Sequence, residues 1–142
     1  MDNIQYIDNQ ISFDEYNALR SGVNWVTISA RQFELVRKNS VFLTVAHYDG
    51  KAVAMTRIIG DGGYNFALCD VIVSSDLQGK GIGRTLVKKA LDYIDSITEN
   101  GETTMIHLVA AKGKENFYKH FGFIERPNDT HGAGMFIYKN KK

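Results

Sequence analysis

The chemistry of this sequence concentrates in one stretch, Val71-Ile72-Val73-Ser74-Ser75-Asp76-Leu77-Gln78-Gly79-Lys80-Gly81-Ile82-Gly83-Arg84. An apolar run feeds a glycine-rich loop, and the loop opens the best helical pattern in the chain. Glycines let a backbone come close to a ligand and take turns that other residues cannot. The first N–H groups of a helix have no intrahelical acceptors and sit at the positive end of its dipole. A pyrophosphate is the natural ligand of such a place. A Walker A loop would need a lysine followed by Ser or Thr, and none closes this loop. A dinucleotide fingerprint would need its third glycine at position 84, which is Arg84. The reading without a ligand is a plain strand-to-helix turn.

Other chemistry-bearing residues are sparse. His47, His107, His120 and His131 fall in separate segments without metal-ligand spacing, so the sequence predicts no metal site. The one cysteine, Cys69, can form neither an internal disulfide nor a cysteine-rich zinc site, and a lone thiol fits a reducing compartment. Lys and Arg number 17 against 16 Asp and Glu, without the basic excess of a dedicated nucleic-acid binder. Met1-Asp2-Asn3-Ile4-Gln5 has no signal-peptide core and no run of 18 apolar residues occurs, so a cytoplasmic protein off the membrane is expected. The 142 residues suit one domain, and 44% apolar residues suffice for a core.

The elements that must position the loop are legible in the pattern. Ile4 to Asp8 predicts an edge strand. Phe13 to Arg20 reads as a helix with Ser12 as N-cap, broken by Ser21-Gly22-Val23-Asn24-Trp25. A second helix is expected over Ser29 to Lys38, with Phe33, Leu35 and Val36 as its apolar side. Val41 to Tyr48, Ala52 to Ile59 and Tyr64 to Val73 form an antiparallel meander through Asp49-Gly50 and Asp61-Gly62-Gly63. Leu86, Val87, Ala90, Leu91, Ile94 and Ile97 recur at helical spacing from about Gly83 to Thr98. Thr104 to Ala110 predicts a strand and Lys114 to Phe121 a short helix closed by Gly122. Phe123 to Glu125 and Met135 to Lys139 predict two last strands. A strand–helix–strand crossover after a meander implies an α/β or α+β layered fold, with a mixed, partly parallel sheet flanked by helices.

Gln78-Gly79-Lys80-Gly81-Ile82-Gly83 resembles Gln/Arg-x-x-Gly-x-Gly/Ala, the acetyl-CoA motif of the GNAT superfamily of N-acetyltransferases. Asn116-Phe117-Tyr118-Lys119-His120-Phe121-Gly122-Phe123 is similar to that family's Asn-x-Tyr helix and the aromatic-glycine-aromatic sequence after it. The element order also looks like that fold over nearly the whole chain. The resemblance implies that Val71, Ile72 and Val73 bind the pantetheine arm through backbone groups, like an added strand. It puts the pyrophosphate on the N–H groups of Gln78, Gly79, Lys80, Gly81, Ile82, Gly83 and Arg84. It brings Asn116 to the cofactor and the Tyr118 hydroxyl to the thioester sulfur. It also implies that the strands before and after the loop splay apart to make the slot.

Amine acetylation needs a neutral nitrogen, a polarised carbonyl and a stabilised thiolate. A backbone N–H of Val71 or Ile72 can hold the carbonyl. Protonation of a thiolate of parent pKa about 8.5 by a phenol of pKa about 10 is uphill by roughly 2 kcal/mol, so Tyr118 serves as a hydrogen-bond donor as much as an acid. Asp70 is expected either to take the amine proton or to form a cross-strand salt bridge. An acetylated Cys69 is disfavoured because neighbouring strand residues face opposite ways. On the acceptor side the resemblance points to Arg20, Trp25, Arg57, Tyr64 and the segment Thr130 to Met135. Arg20 and Arg57 either hold a carboxylate or phosphate or are solvated charges, and Trp25 is either a lid or a packing residue. The expected function is direct transfer from acetyl-CoA to the primary amine of a small molecule in a ternary complex. The alternative is a catalytically silent acyl-CoA sensor. Short terminal strands invite edge pairing into a homodimer.

Overall fold

Two capping boxes set the first half of the molecule. The Ser12 hydroxyl accepts from the Glu15 N–H at 3.1 Å while the Glu15 carboxylate accepts from the Ser12 N–H at 3.0 Å, opening helix α1 (Phe13–Gly22). Ser29 and Gln32 do the same for α2 (Ala30–Asn39). These details come from a computed structural model, which describes residues 3–141. The chain divides between Leu108 and Val109 into two units, each described by itself.

The first unit carries a five-stranded mixed sheet in the order β1-β2-β3-β4-β5. The strands are β1 (Ile4–Asp8), β2 (Phe42–Tyr48), β3 (Lys51–Gly60), β4 (Asn65–Val73) and β5 (Met105–His107). The first four pair antiparallel and β5 runs parallel to β4. Leu43, Val45, Met55 and Ile72 pack with Tyr16, Leu19 and Phe33 of α1 and α2. The Tyr16 and Phe33 rings lie 5.3 Å apart. Ala46 and Ala54 pack with Ile82 and Leu86 of α3 (Ile82–Ile97). The sheet is thus covered by helices, and β2 is buried almost throughout. Two side chains lie outside the expected faces: Leu35 is 42% and Ile97 is 38% exposed, each at the fringe of its apolar stripe.

The sheet departs from expectation after β4. β5 covers three residues instead of Thr104 to Ala110, because its ladder with β4 runs only from Asn65↔Met105 to Ala67↔His107. In the second unit α4 is Glu115–Lys119, and turn bonds from Phe121 and Gly122 to Tyr118 and Lys119 carry the chain on. The strands expected at Phe123 to Glu125 and Met135 to Lys139 are not formed among the described residues. Ile124 and Met135 through Tyr138 are at least three-quarters exposed. Their alternation offers a face to bury, but a strand also needs a neighbouring edge to pair with.

Candidate functional site

The site starts from a defect in the β3–β4 ladder. Met55 pairs with Ile72 and Arg57 with Cys69, so Thr56 alone opposes Asp70 and Val71. This is a β-bulge. Asp70 takes φ +51°, a left-handed conformation that few residues other than glycine adopt, though Asp and Asn tolerate it. The buried Thr56 hydroxyl donates to the Cys69 carbonyl at 3.0 Å beside it.

Three side chains hold Asp70 there. Arg57 Nε donates to Oδ2 at 2.6 Å, the Tyr16 hydroxyl to the same oxygen at 2.6 Å, and Arg20 Nη1 to Oδ1 at 2.9 Å. Tyr16 and Arg20 stand four residues apart on α1 and so share a helix face. That helix is pinned to the sheet because Glu15 also accepts from the Ala52 N–H at 3.0 Å. Burial by itself would raise the Asp70 carboxyl. The Arg57 charge and hydrogen bond, the Tyr16 hydroxyl and the Arg20 charge outweigh it and hold the group below the ordinary aspartate value. Burial and then Asp70 push the Tyr16 phenol up to about 12, so it stays a donor.

Of the two readings of Asp70, proton acceptor or salt bridge, the geometry forms the salt bridge, to both Arg20 and Arg57. Both of its oxygens are engaged and its basicity is lowered, so the salt-bridge alternative describes what the geometry does. Strand alternation does not separate Cys69 from Asp70 as expected. The bulge breaks strand alternation at this point, and Cys69, Asp70 and Val71 are all half-buried in succession. What disfavours Cys69 as a nucleophile is burial, which pushes its thiol up and keeps it protonated.

The expected acceptor residues separate into two places. Trp25 stacks 5.6 Å from the Arg20 guanidinium, which also donates through Nε to the Val26 carbonyl at 2.5 Å. Asn17 clamps the same connection by two hydrogen bonds with Ile28. Arg20 and Arg57 therefore meet at Asp70, with Trp25 stacked on Arg20. Tyr64 does not join them: it sits just before β4, six residues ahead of Asp70 and roughly 20 Å away along an extended chain, beside Asp61, Glu102 and Thr103. Sequence reasoning missed Tyr16. Its i,i+4 relation to Arg20 was the available signal.

Among the described residues β4 has a ladder on both sides only at its start. Its ladder with β5 ends at Ala67, so Leu68–Val73 pair only with β3 among the described residues. The strand then enters a turn in which Ser74 donates to the Val53 carbonyl through both N–H and hydroxyl. Gln78 Nε2 donates back to the Val73 carbonyl at 3.0 Å and folds the loop on the strand end. Gly79 and Gly81 take φ +79° and +85°. Gly81 is the N-cap of α3, and no side chain caps it. Thr85 N–H makes the first helical bond, to the Gly81 carbonyl. The N–H groups of Ile82, Gly83 and Arg84 therefore precede the ladder and face outward from the helix end. An open strand edge running into uncapped helical donors fits an extended pantetheine arm ending in a pyrophosphate.

In the second unit Asn116 is exposed on α4, and Tyr118 packs edge-on to Phe117 at 5.0 Å and Phe123 at 6.1 Å. Burial pushes the Tyr118 phenol up to about 12. Full proton transfer to a thiolate of parent pKa about 8.5 is then uphill by about 5 kcal/mol, which leaves Tyr118 a hydrogen-bond donor. Two of the histidines bond within the fold: buried His47 to the Gln10 carbonyl at 2.8 Å and exposed His107 to the Asn65 side chain at 2.9 Å. No group of three metal-ligating side chains comes together among the described residues.

Comparison with known proteins follows the same outline. The family described as acetyltransferase (GNAT) domain matches residues 38–125. An uncharacterized N-acetyltransferase, ycf52, of Pyropia yezoensis is 28% identical over 135 residues, 92% of this chain and 74% of that protein. GCN5-related N-acetyltransferase 1, chloroplastic, of Arabidopsis thaliana is 26% identical over 93% of this chain and 66% of its own length. A probable acetyltransferase from Staphylococcus aureus superposes with TM-score 0.85 at 24% identity, covering 96% of this chain and 99% of that one. The glucosamine-6-phosphate N-acetyltransferase of Arabidopsis thaliana gives 0.74 at 18% identity over 96% and 99%, a likeness of fold alone.

Proposed function

From its membership of the GNAT acetyltransferase family, to which this chain belongs, we infer that it moves the acetyl group of acetyl-CoA directly to the primary amine of a small molecule, with both bound at once. The observation that carries this reading is the continuity of the open Leu68–Val73 edge with the uncapped start of α3. Acetyl-CoA supplies an activated acyl group and a thiolate leaving group.

The chain's own residues divide the remaining work. Backbone groups of Val71, Ile72 and Val73 hold the pantetheine arm, and an N–H of Val71 or Ile72 polarises the carbonyl. The loop from Gln78 through Gly79, Lys80, Gly81, Ile82 and Gly83 to Arg84 binds the pyrophosphate. Asn116 contacts the cofactor, and Tyr118 donates a hydrogen bond to the departing sulfur. Asp70 acts as a positioning residue: it fixes the bulge that sets the path of Val71. The amine proton leaves to solvent, and the amine enters as its free base, which the positive surroundings of Arg20 and Arg57 favour. Cys69 forms no acetyl intermediate. Its unpaired thiol supports a reducing, cytoplasm-like setting. The position of β1 at the edge of the sheet among the described residues supports a homodimer through edge pairing.

Thiol release from acetyl-CoA across a panel of primary amines tests this. At least one amine should raise the rate well above hydrolysis. Initial rates should give intersecting, sequential patterns, with no acetyl-enzyme in the absence of amine. Saturable acetyl-CoA binding with no amine-dependent thiol release would instead favour a silent acyl-CoA sensor.

A further inference from the structure

We propose that the Arg20–Asp70–Arg57 cluster recognises an anionic group, a carboxylate or a phosphate, on the acceptor amine. The proposal rests on the acetyltransferase reading above and specifies the class of its acceptor.

The first argument is a charge count. Two guanidiniums and one carboxylate leave a surplus positive charge in a part-buried place, the side chains being 16%, 16% and 8% exposed. One arginine would suffice to neutralise Asp70. A second cation held at 16% exposure costs desolvation unless an anion completes the set.

The second argument is a donor count. A guanidinium carries five N–H donors in a fixed fork. Arg20 uses Nε on the Val26 carbonyl and Nη1 on Asp70. Arg57 uses Nε on Asp70 and Nη1 on the Ser40 hydroxyl at 3.3 Å. Nη2 of each arginine has no protein acceptor among the described residues. Neither is sealed from solvent, since Thr44 Oγ1 is the one fully buried side-chain N or O atom there without a partner. Both cations therefore keep an accessible donor that the fold itself does not use.

The third argument is rigidity. The Arg20 guanidinium lies 5.7 Å from the Tyr16 ring and 5.6 Å from the Trp25 ring and is held by the Val26 carbonyl and Asp70, while Arg57 is held by Asp70 and Ser40. Donors already held in place lose little freedom on binding, which favours forked recognition of a carboxylate or phosphate. Asp70 neighbours Val71 in the bulge, so the anion site adjoins the edge where the acyl group is expected. The same surplus charge repels acceptors whose other end is cationic.

Matched acceptors test this on the unaltered protein. Each primary amine is compared with its counterpart bearing a carboxylate or phosphate in place of a neutral amide or hydroxyl. The anionic member should show kcat/KM at least tenfold higher, mainly through KM. Equal or better turnover of the neutral members would overturn the proposal. If no amine is acetylated at all, titration with inorganic phosphate decides, followed by NMR of the arginine side-chain Nε–H signals. Saturable shifts at Arg20 and Arg57 would support the anion site and place the failure on acetyl transfer. Unchanged signals would overturn the anion site itself.

Discussion

Two polar arrangements lie along the second half of β4, and they are opposites. At the bulge, an acceptor is fully subscribed: the Asp70 carboxylate takes donors from Tyr16, Arg20 and Arg57. At the start of α3, donors are left over: the helix begins at Gly81 with no side-chain cap. A carboxylate saturated from within is bound to the scaffold and has little basicity to offer a substrate. Backbone donors that the chain leaves uncapped are open to water or to an anionic ligand. Residue type alone is even-handed at Asp70, where an aspartate beside a slot can be a base or an ion-pair partner, and is more telling at the glycine loop.

The contrast can be broken from either side. Asp70→Ala strips the bulge of its anchor and leaves Arg20 and Arg57 unpaired and part-buried. Loss of one partner from such a pair typically costs about 3–5 kcal/mol, which urea unfolding would read as a large fall in midpoint. The folded carboxyl lies below its ordinary value, so its stabilisation is fully present above the ordinary carboxylate range. It is withdrawn as pH falls through the folded pKa, and the deficit of Asp70→Ala should narrow on acidification. A deficit independent of pH down to acid unfolding would remove the ion-pair account.

A smaller effect is expected at the other end. Gly81→Asp offers the α3 donors an internal carboxylate and makes this end resemble the bulge. An ideal Cβ at Gly81 meets nothing within 4 Å, so the cost there is the φ of +85° and not a clash. Acetyl-CoA affinity by calorimetry should drop at least tenfold in a protein that still folds. Unchanged affinity would move the pyrophosphate elsewhere.

Much of this was legible in the residues. Ser12 and Ser29 announced their helices through capping, and Asp49-Gly50 and Asp61-Gly62-Gly63 set the hairpins of the meander. The glycine loop declared itself because its signal is local. What stayed hidden was non-local. Nothing near Asp70 in the sequence tells that Tyr16 and Arg20, some fifty residues away, converge on it. The bulge was equally hidden, because one extra residue in a ladder depends on its partner strand and leaves alternation within β4 looking regular until Cys69. The last two strands failed for the converse reason: Met135 to Lys139 has a strand's composition, but pairing depends on an edge elsewhere.

The central claim is that Asp70 anchors the bulge and does not take the amine proton. The pH dependence of kcat/KM for Asp70→Asn against the unaltered protein tests it most directly. Asparagine keeps the shape and removes the charge. An anchor predicts a lowered rate with the same ratio to the unaltered enzyme from about pH 6.5 to 9.5, up to the roughly 100-fold that a misplacement of about 1 Å can cost. A deficit that shrinks steadily as the pH approaches the acceptor amine's own pKa, where the substrate no longer needs a base, would contradict the account and restore Asp70 as the proton acceptor.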